Sequence, residues 1–170
     1  MDLLLLADPS EEMINRYLLD SDIFVANEGD NTIGVLALKK AGNEAEIMNV
    51  AVDEHHQGKG IGSALIKHAI EFAKSSGIKK LIIGTADTST NQQQLYQKLG
   101  FEKSGRIKDF FTTHYPEPII ENGVQAKDMI QLEMILWSPL NVLLNPIDPS
   151  TITNGIIGTK NRPSQSAQVL

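Results

Sequence analysis

HHQGKGIGSALIKHA, residues 55–69, sets Gly58, Gly60 and Gly62 within five positions and then runs straight into an apolar periodic segment. Glycine reaches positive φ and lets other groups approach the main chain, yet inside a helix it costs about 1 kcal/mol relative to Ala. Three of them where a helix must begin imply that something large lies against bare backbone. A strand, a glycine-rich turn and a helix N-terminus together make an anion site. The first N–H groups of the helix have no internal partner, and the helix dipole adds about half a positive charge there. A diphosphate suits such a cradle. A plain tight turn would explain one glycine; it explains three at this spacing less well.

Working outward, residues 3–6 form a short apolar run that reads as a buried strand. "DPSE" follows, with Asp8 as N-cap, Pro9 at the first helical position and Glu11 closing a capping box, ahead of Met13, Ile14, Tyr17 and Leu18 on one helical face. Residues 23–26, 32–38 and 45–52 read as three strands divided by the turn signals "EGDN" and "KAGNE". Past the glycines, Ile61, Ala64, Leu65, Ala69, Phe72 and Ala73 make a helical stripe that stops at Gly77. "KKLIIGT" is a further strand, residues 91–99 a helix capped by Asn91, and residues 101–107 and 128–136 two last strands. The order β-α-β-β-β-α-β-α-β-β is that of an α/β (α+β) domain covering residues 1–136. Residues 137–170 hold four of the seven prolines and few charges, and read as a low-complexity tail or docking arm.

The balance of charges narrows the partners. A net charge of −6 argues against a nucleic-acid partner, whose phosphates need a basic face, and favours cationic ligands such as amines. The absence of cysteine excludes a Cys nucleophile and thiolate metal sites. His55 and His56 are adjacent with no accompanying ligand set, so no metal is expected. "MDLLLLADPS" lacks the basic start of a signal peptide, and no apolar run approaches the roughly 20 residues of a membrane span. A cytoplasmic protein with no membrane partner is the expectation.

Two known phosphate signatures fail. G-x-G-x-x-G needs a third glycine where Ser63 stands one residue past Gly62, and the P-loop spacing before a Gly-Lys-hydroxyl triplet is absent. What fits is Gln57-x-x-Gly60-x-Gly62, which resembles the acetyl-CoA pyrophosphate loop of the GNAT superfamily of N-acetyltransferases. "NQQQLYQKLGF", Asn91 through Phe101, resembles the second signature of that superfamily, and "AEIMNVAVD" the strand that precedes the loop.

The resemblance implies a GNAT fold, a central mixed and mostly antiparallel sheet splayed between its fourth and fifth strands and flanked by helices. It implies acetyl transfer from acetyl-CoA, a cosubstrate and not a metal, to a primary amine attacking directly in a ternary complex. The main chain of Val50, Ala51 and Val52 would bond the pantetheine arm, and Gln57, Gly58, Lys59, Gly60, Ile61, Gly62 and Ser63 would hold the pyrophosphate, with Asn91 as a further contact. Tyr96 would protonate the leaving thiolate. A base is required because an alkylamine titrates near ~10.4. Glu46, placed by period-two alternation on the side of Met48, Val50 and Val52, is the candidate, with Asp109, His114 and Glu117 as competitors. "DFFTTHYPEP", residues 109–118, reads as an extended, semi-rigid loop whose Phe111, His114 and Tyr115 would bind the acceptor. A small molecule (polyamine, aminoglycoside-like or amino-acid derivative) stands ahead of a protein amine.

Members of the superfamily carry two helices between their first two strands, and only one is read here. That would leave the acceptor pocket open, or completed by the tail or by the second subunit of a homodimer. A non-catalytic acyl-CoA sensor or scaffold is the alternative function.

Overall fold

The computed structural model describes residues 1–136 apart from Asn122; the tail expected at 137–170 lies outside the described residues. In chain order the elements are α1 (Asp2–Ala7), α2 (Glu11–Leu18), β1 (Ser21–Glu28), β2 (Asn31–Ala41), β3 (Glu44–Val52), a 3-10 turn (Glu54–His56), α3 (Ile61–Ser75), β4 (Lys80–Ala86), α4 (Thr90–Lys98), β5 (Glu102–Ile107), α5 (Phe110–His114), β6 (Ile120–Glu121), β7 (Val124–Gln125) and β8 (Met129–Ile135). Six strands form one sheet in the order β1-β2-β3-β4-β8-β5, and β6 and β7 pair separately. Only β3 and β4 run parallel; every other pairing in the large sheet is antiparallel. One face buries Leu36, Leu38, Ile47, Ile83 and Leu132 against α3 and Tyr96 of α4. The other buries Val35, Ala37 and Ala51 against Leu4 of α1 and Ile14 and Tyr17 of α2.

Residues 3–6 are helical, not a strand. A four-residue apolar run does not distinguish the two by period, and Leu is a good helix former without a β-branch. What decides is the face that β2 and β3 leave for it, on which Leu4 is buried. The next helix also starts later than its capping box suggested. Ser10 is the N-cap, its Oγ accepting the Met13 N–H at 3.2 Å, while Asp8 Oδ1 accepts the Ser10 N–H at 3.0 Å and Pro9 stays in the linker. Two helices therefore precede β1. The strands counted fourth and fifth in the sequence are β3 and β4.

Those two strands part company halfway. Their register runs from Glu44↔Lys80 to Ile47↔Ile83 and stops, while β4 continues along β8 to Ala86 and β3 continues along β2 to Val52. At the same level β3 carries a bulge: Leu38 faces Ile47 and Ala37 faces Asn49, so Met48 is an extra residue. Ile47 and Val50 consequently share the α3 face, while Asn49 and Ala51 turn to α1 and α2. Glu46 alternates with Ala45 and Ile47 and so lies on the opposite face from Val50, which corrects the side assigned to it by simple alternation.

Residues 109–118 are not extended throughout. The Pro restriction falls only on Tyr115 and Glu117, leaving residues 110–114 free to make a turn of helix. Asp109 starts it at φ 54, its N–H bonded to Asp128 Oδ1 at 2.8 Å.

Candidate active site

The glycine stretch forms a loop with positive φ at Gly58 (74°) and Gly60 (82°), and the space beyond each α-carbon is open. Gly60 is the N-cap of α3, and the Ala64 N–H closes the first helical bond on its carbonyl. The amides of Ile61, Gly62 and Ser63 are thus the outward-facing donors of the helix start. No acidic residue occupies that first turn, and Lys59 is exposed beside it. Gln57 is pinned from the other side, its Nε2 donating to the Val52 carbonyl at 3.1 Å. Behind the loop, His56 Nδ1 lies 2.7 Å from Asp53 Oδ1 and its Nε2 3.2 Å from Glu28 Oε2, contacts that push the imidazole pKa above its ordinary value. The cradle is open, donor-rich and free of negative side chains in its first turn, so it fits a pyrophosphate.

The parting of β3 and β4 opens a cleft of about 260 Å³. Met48, Asn49 and Val50 line it from β3, and Gly84, Thr85 and Ala86 from β4. Tyr96 reaches it from α4, Asp8 from the α1–α2 linker, Phe111 and Tyr115 from α5 and its end, and Glu121 from β6. Tyr96 is 6% exposed, and burial alone pushes its phenol up to about 12. The Tyr115 hydroxyl donates to Asp8 Oδ1 at 3.1 Å. Burial lifts the Asp8 carboxyl above the usual carboxylate range against the opposing pull of its hydrogen bonds to Ser10 and Tyr115. Glu121 Oε2 accepts the hydroxyls of Thr88 and Ser89 at 2.7 and 2.6 Å. Asn49, 5% exposed, donates from Nδ2 to the Leu4 carbonyl at 3.0 Å and to the Tyr17 hydroxyl at 3.1 Å, and its Oδ1 has no partner among the described residues.

A split parallel pair of strands, with a glycine cradle at the end of one and a buried tyrosine against the gap, is an arrangement with known counterparts. The model of the acetyltransferase (GNAT) family matches residues 5–101. The chain belongs to the GNAT family. An uncharacterized N-acetyltransferase of Bacillus subtilis, YvbK, is 45% identical over 136 residues, covering 79% of this chain and 88% of that protein. Among solved structures, an IAA acetyltransferase from Bacillus cereus superposes with a TM-score of 0.77 at 49% identity, over 79% of this chain and 90% of the other. A GNAT acetyltransferase from Elizabethkingia anophelis with acetyl-CoA bound superposes with a TM-score of 0.77 at 47% identity, over 79% of this chain and 88% of the other. The protein is an acetyl-CoA-dependent N-acetyltransferase, acting on an amine.

In this GNAT acetyltransferase the residues expected at the site fall into three groups. Val50, Tyr96, Phe111 and Tyr115 share the cleft. Gln57 through Ser63 form the loop, and Ala51 and Val52 extend β3 toward it, Ala51 buried and Val52 packed under Gly62. Three candidates stand apart. Asn91 is exposed in the first turn of α4, whose N-cap is Ser89, and lines a polar hollow that adjoins the cleft and shares Ser89, Gln92 and Glu121 with it. His114 is exposed, its ring in tilted contact with Phe110 at 4.7 Å, and does not line the cleft. Glu46 sits where β3 and β4 are still paired, opposite Lys39 and Ile82, and is likewise not a lining residue; burial raises its carboxyl pKa.

Sequence reasoning missed Asp8, Asn49 and Glu121 as cleft residues. Asn49 left a signal, a lone amide inside the apolar run "IMNVAV". Asp8 was visible only as a helix cap, and Glu121 had no local mark. Two helices precede β1 where one was expected, and Leu6, Ala7, Asp8 and Pro9 of the first helix and its linker line that side of the cleft. No helix among the described residues is long and apolar enough to cross a membrane, and no group of three or more His, Asp or Glu among them is placed to hold a metal.

Proposed function

We propose that the cleft between β3 and β4 is where acetyl transfer takes place, by direct attack of a small primary amine in a ternary complex. The observation that carries this reading is that the free edge of β3 at Val50, the Tyr96 side chain and a carboxylate, Asp8, line one cavity. When bound, acetyl-CoA supplies the activated acyl group as a thioester. The amides of Ile61, Gly62 and Ser63 hold its pyrophosphate with help from Lys59, and main-chain groups from Val50 to Val52 bond the arm. A β3 amide beside the gap polarises the thioester carbonyl as an oxyanion donor.

Two protons have to be managed. The acceptor nitrogen loses one as its bond to the acyl carbon forms, and the sulfur gains one as the C–S bond breaks. Asp8 takes the first, directly or through water, because its raised pKa makes it a stronger base than a free carboxylate. Glu46, the base implied by family resemblance, is outside the cleft lining and could act only at longer range. Tyr96 faces the second. At a pKa of about 12 it stays protonated, and full transfer to a thiolate of pKa ~8.5 is uphill by about 5 kcal/mol. Its contribution is therefore a hydrogen bond that stabilises the departing thiolate, with solvent completing the protonation. A cytoplasmic location belongs to the same reading.

A crystal structure with CoA tests this. The thiol within hydrogen-bonding reach of Tyr96 Oη, and the pyrophosphate on the 57–63 loop, support it. The coenzyme elsewhere with the loop empty overturns it.

A further inference from the structure

We propose that the acceptor is a primary amine that carries a second positive charge and no carboxylate; this inference rests on the acetyl-transfer reading of the cleft. Its walls hold two carboxylates, Asp8 and Glu121, and among the described lining residues no Lys, Arg or His. The two come from opposite sides of the parted strands. Asp8 belongs to the linker beside α1, which packs on β3, and Glu121 is bonded to Thr88 and Ser89 just past the end of β4. Neither forms an ion pair among the described residues.

Each carboxylate is oriented through one oxygen. Asp8 Oδ1 takes the Ser10 N–H and the Tyr115 hydroxyl, and Glu121 Oε2 takes both hydroxyls. The second oxygen of each is left for a ligand. Burial works against the charged form of Asp8, and a cation entering the cleft offsets that cost while meeting a second carboxylate at Glu121.

An independent observation points to an N–H donor. The Asn49 amide orientation is forced, because the Leu4 carbonyl can only accept, so the unpartnered atom is the oxygen. Asn49 lines the cleft, and its oxygen is a buried acceptor with no partner among the described residues, which an entering ammonium or amine N–H that reached it would satisfy. Phe111 and Tyr115 add aromatic faces suited to an organic cation. A substrate carboxylate would meet no cation here and would face Asp8 and Glu121. Asp8 and Asn49 receive the reacting nitrogen, and Glu121 the distal charge.

The test is thiol release from acetyl-CoA by the full chain, with α,ω-diamines of three to six carbons, the matching monoamines, and lysine and ornithine. The expected result is a kcat/KM for the best diamine at least 10-fold above its monoamine and at least 10-fold above the carboxylated diamines, with the diamine-to-monoamine ratio falling toward one in Glu121→Gln. Equal rates for monoamines and diamines, or a preference for lysine or ornithine, overturn the inference and leave acetyl transfer in this cleft standing. No turnover of any amine, with acetyl-CoA binding intact, overturns both. The wild-type panel decides the matter even if Glu121→Gln, which alters contacts to the start of α4, does not fold.

Discussion

Ile47 and Val50, three residues apart on β3, face the same side of the sheet, because the bulge at Met48 inserts one residue opposite Leu38 and Ala37. The same level is where β4 leaves β3. One local irregularity thus turns Asn49 toward α1 and α2 while the free edge of Val50 borders the gap. It also separates Glu46, below the bulge, from the cleft above it. Bulges beside active sites re-aim side chains in this way.

That separation makes a direct contrast. Asp8→Asn is expected to lower kcat/KM by about 100-fold, the scale of a lost general base, whereas Glu46→Gln should change it by less than about 3-fold on the same scale. Steady-state thiol release with one amine measures both. The reverse ranking would return the role of base to Glu46.

Tyr96→Phe removes one hydroxyl and keeps the packing of the ring against Phe101 at 6.4 Å. Turnover should fall by about 100-fold, while the CoA dissociation constant stays within about 3-fold. Calorimetric titration beside kinetics separates the two. Equal losses in both would mean that the tyrosine only shapes the pocket.

Gly60→Asp puts a side chain at φ 82 and a negative charge at the start of α3. Left-handed backbone costs an L-residue about 1–2 kcal/mol, and the charge repels a pyrophosphate. The strain lowers stability, and the repulsion should drop CoA affinity at least about 10-fold. Gly29→Ala, at φ 59 in the β1–β2 turn, is the control: it should lower the melting temperature and leave CoA affinity alone.

Asn49→Ala removes the two bonds that tie β3 to Leu4 of α1 and Tyr17 of α2. The expected loss is about 1–3 kcal/mol, because the Tyr17 hydroxyl loses its amide donor and the Leu4 carbonyl keeps only the Asp8 N–H. Urea denaturation reads it as a lower midpoint with an unchanged slope.

His56 gives a pH dependence with a definite sign. Its folded pKa lies above the unfolded value, through Asp53 first and Glu28 second. Its stabilisation is therefore complete below about pH 6.5 and fades as pH rises through the folded pKa. The melting temperature of the wild type should fall between pH 6 and pH 8 by more than that of His56→Gln. A parallel pair of curves would remove this imidazole as the cause.

Much of this acetyltransferase was legible locally. Residues 57–63 form the loop that their glycines announced, since positive φ at Gly58 and Gly60 is a property of single residues. The strands from Ile23 to Val52 followed from alternation and turn chemistry, and Tyr96, singled out through the resemblance of residues 91–101 to the second signature, lines the cleft as one of the buried residues of α4. Residues 3–6 went the other way, because four leucines suit a helix or a strand until a neighbouring face selects one. On the side expected to take the acceptor, Phe111 and Tyr115 were legible and line the cleft, whereas the polar residues beside them were not. Asp8, Asn49 and Glu121 are separated along the chain by 41 and 72 residues, counted from their positions in the sequence. The order of elements and an anion-binding glycine turn were legible from composition and spacing, and the resemblance of residues 57–62 and 91–101 to known signatures implied the fold and the coenzyme, since such signatures are short and local. The tertiary structure alone decided which carboxylates line the cleft, since that depends on where a bulge parts two strands and which distant segments border the gap.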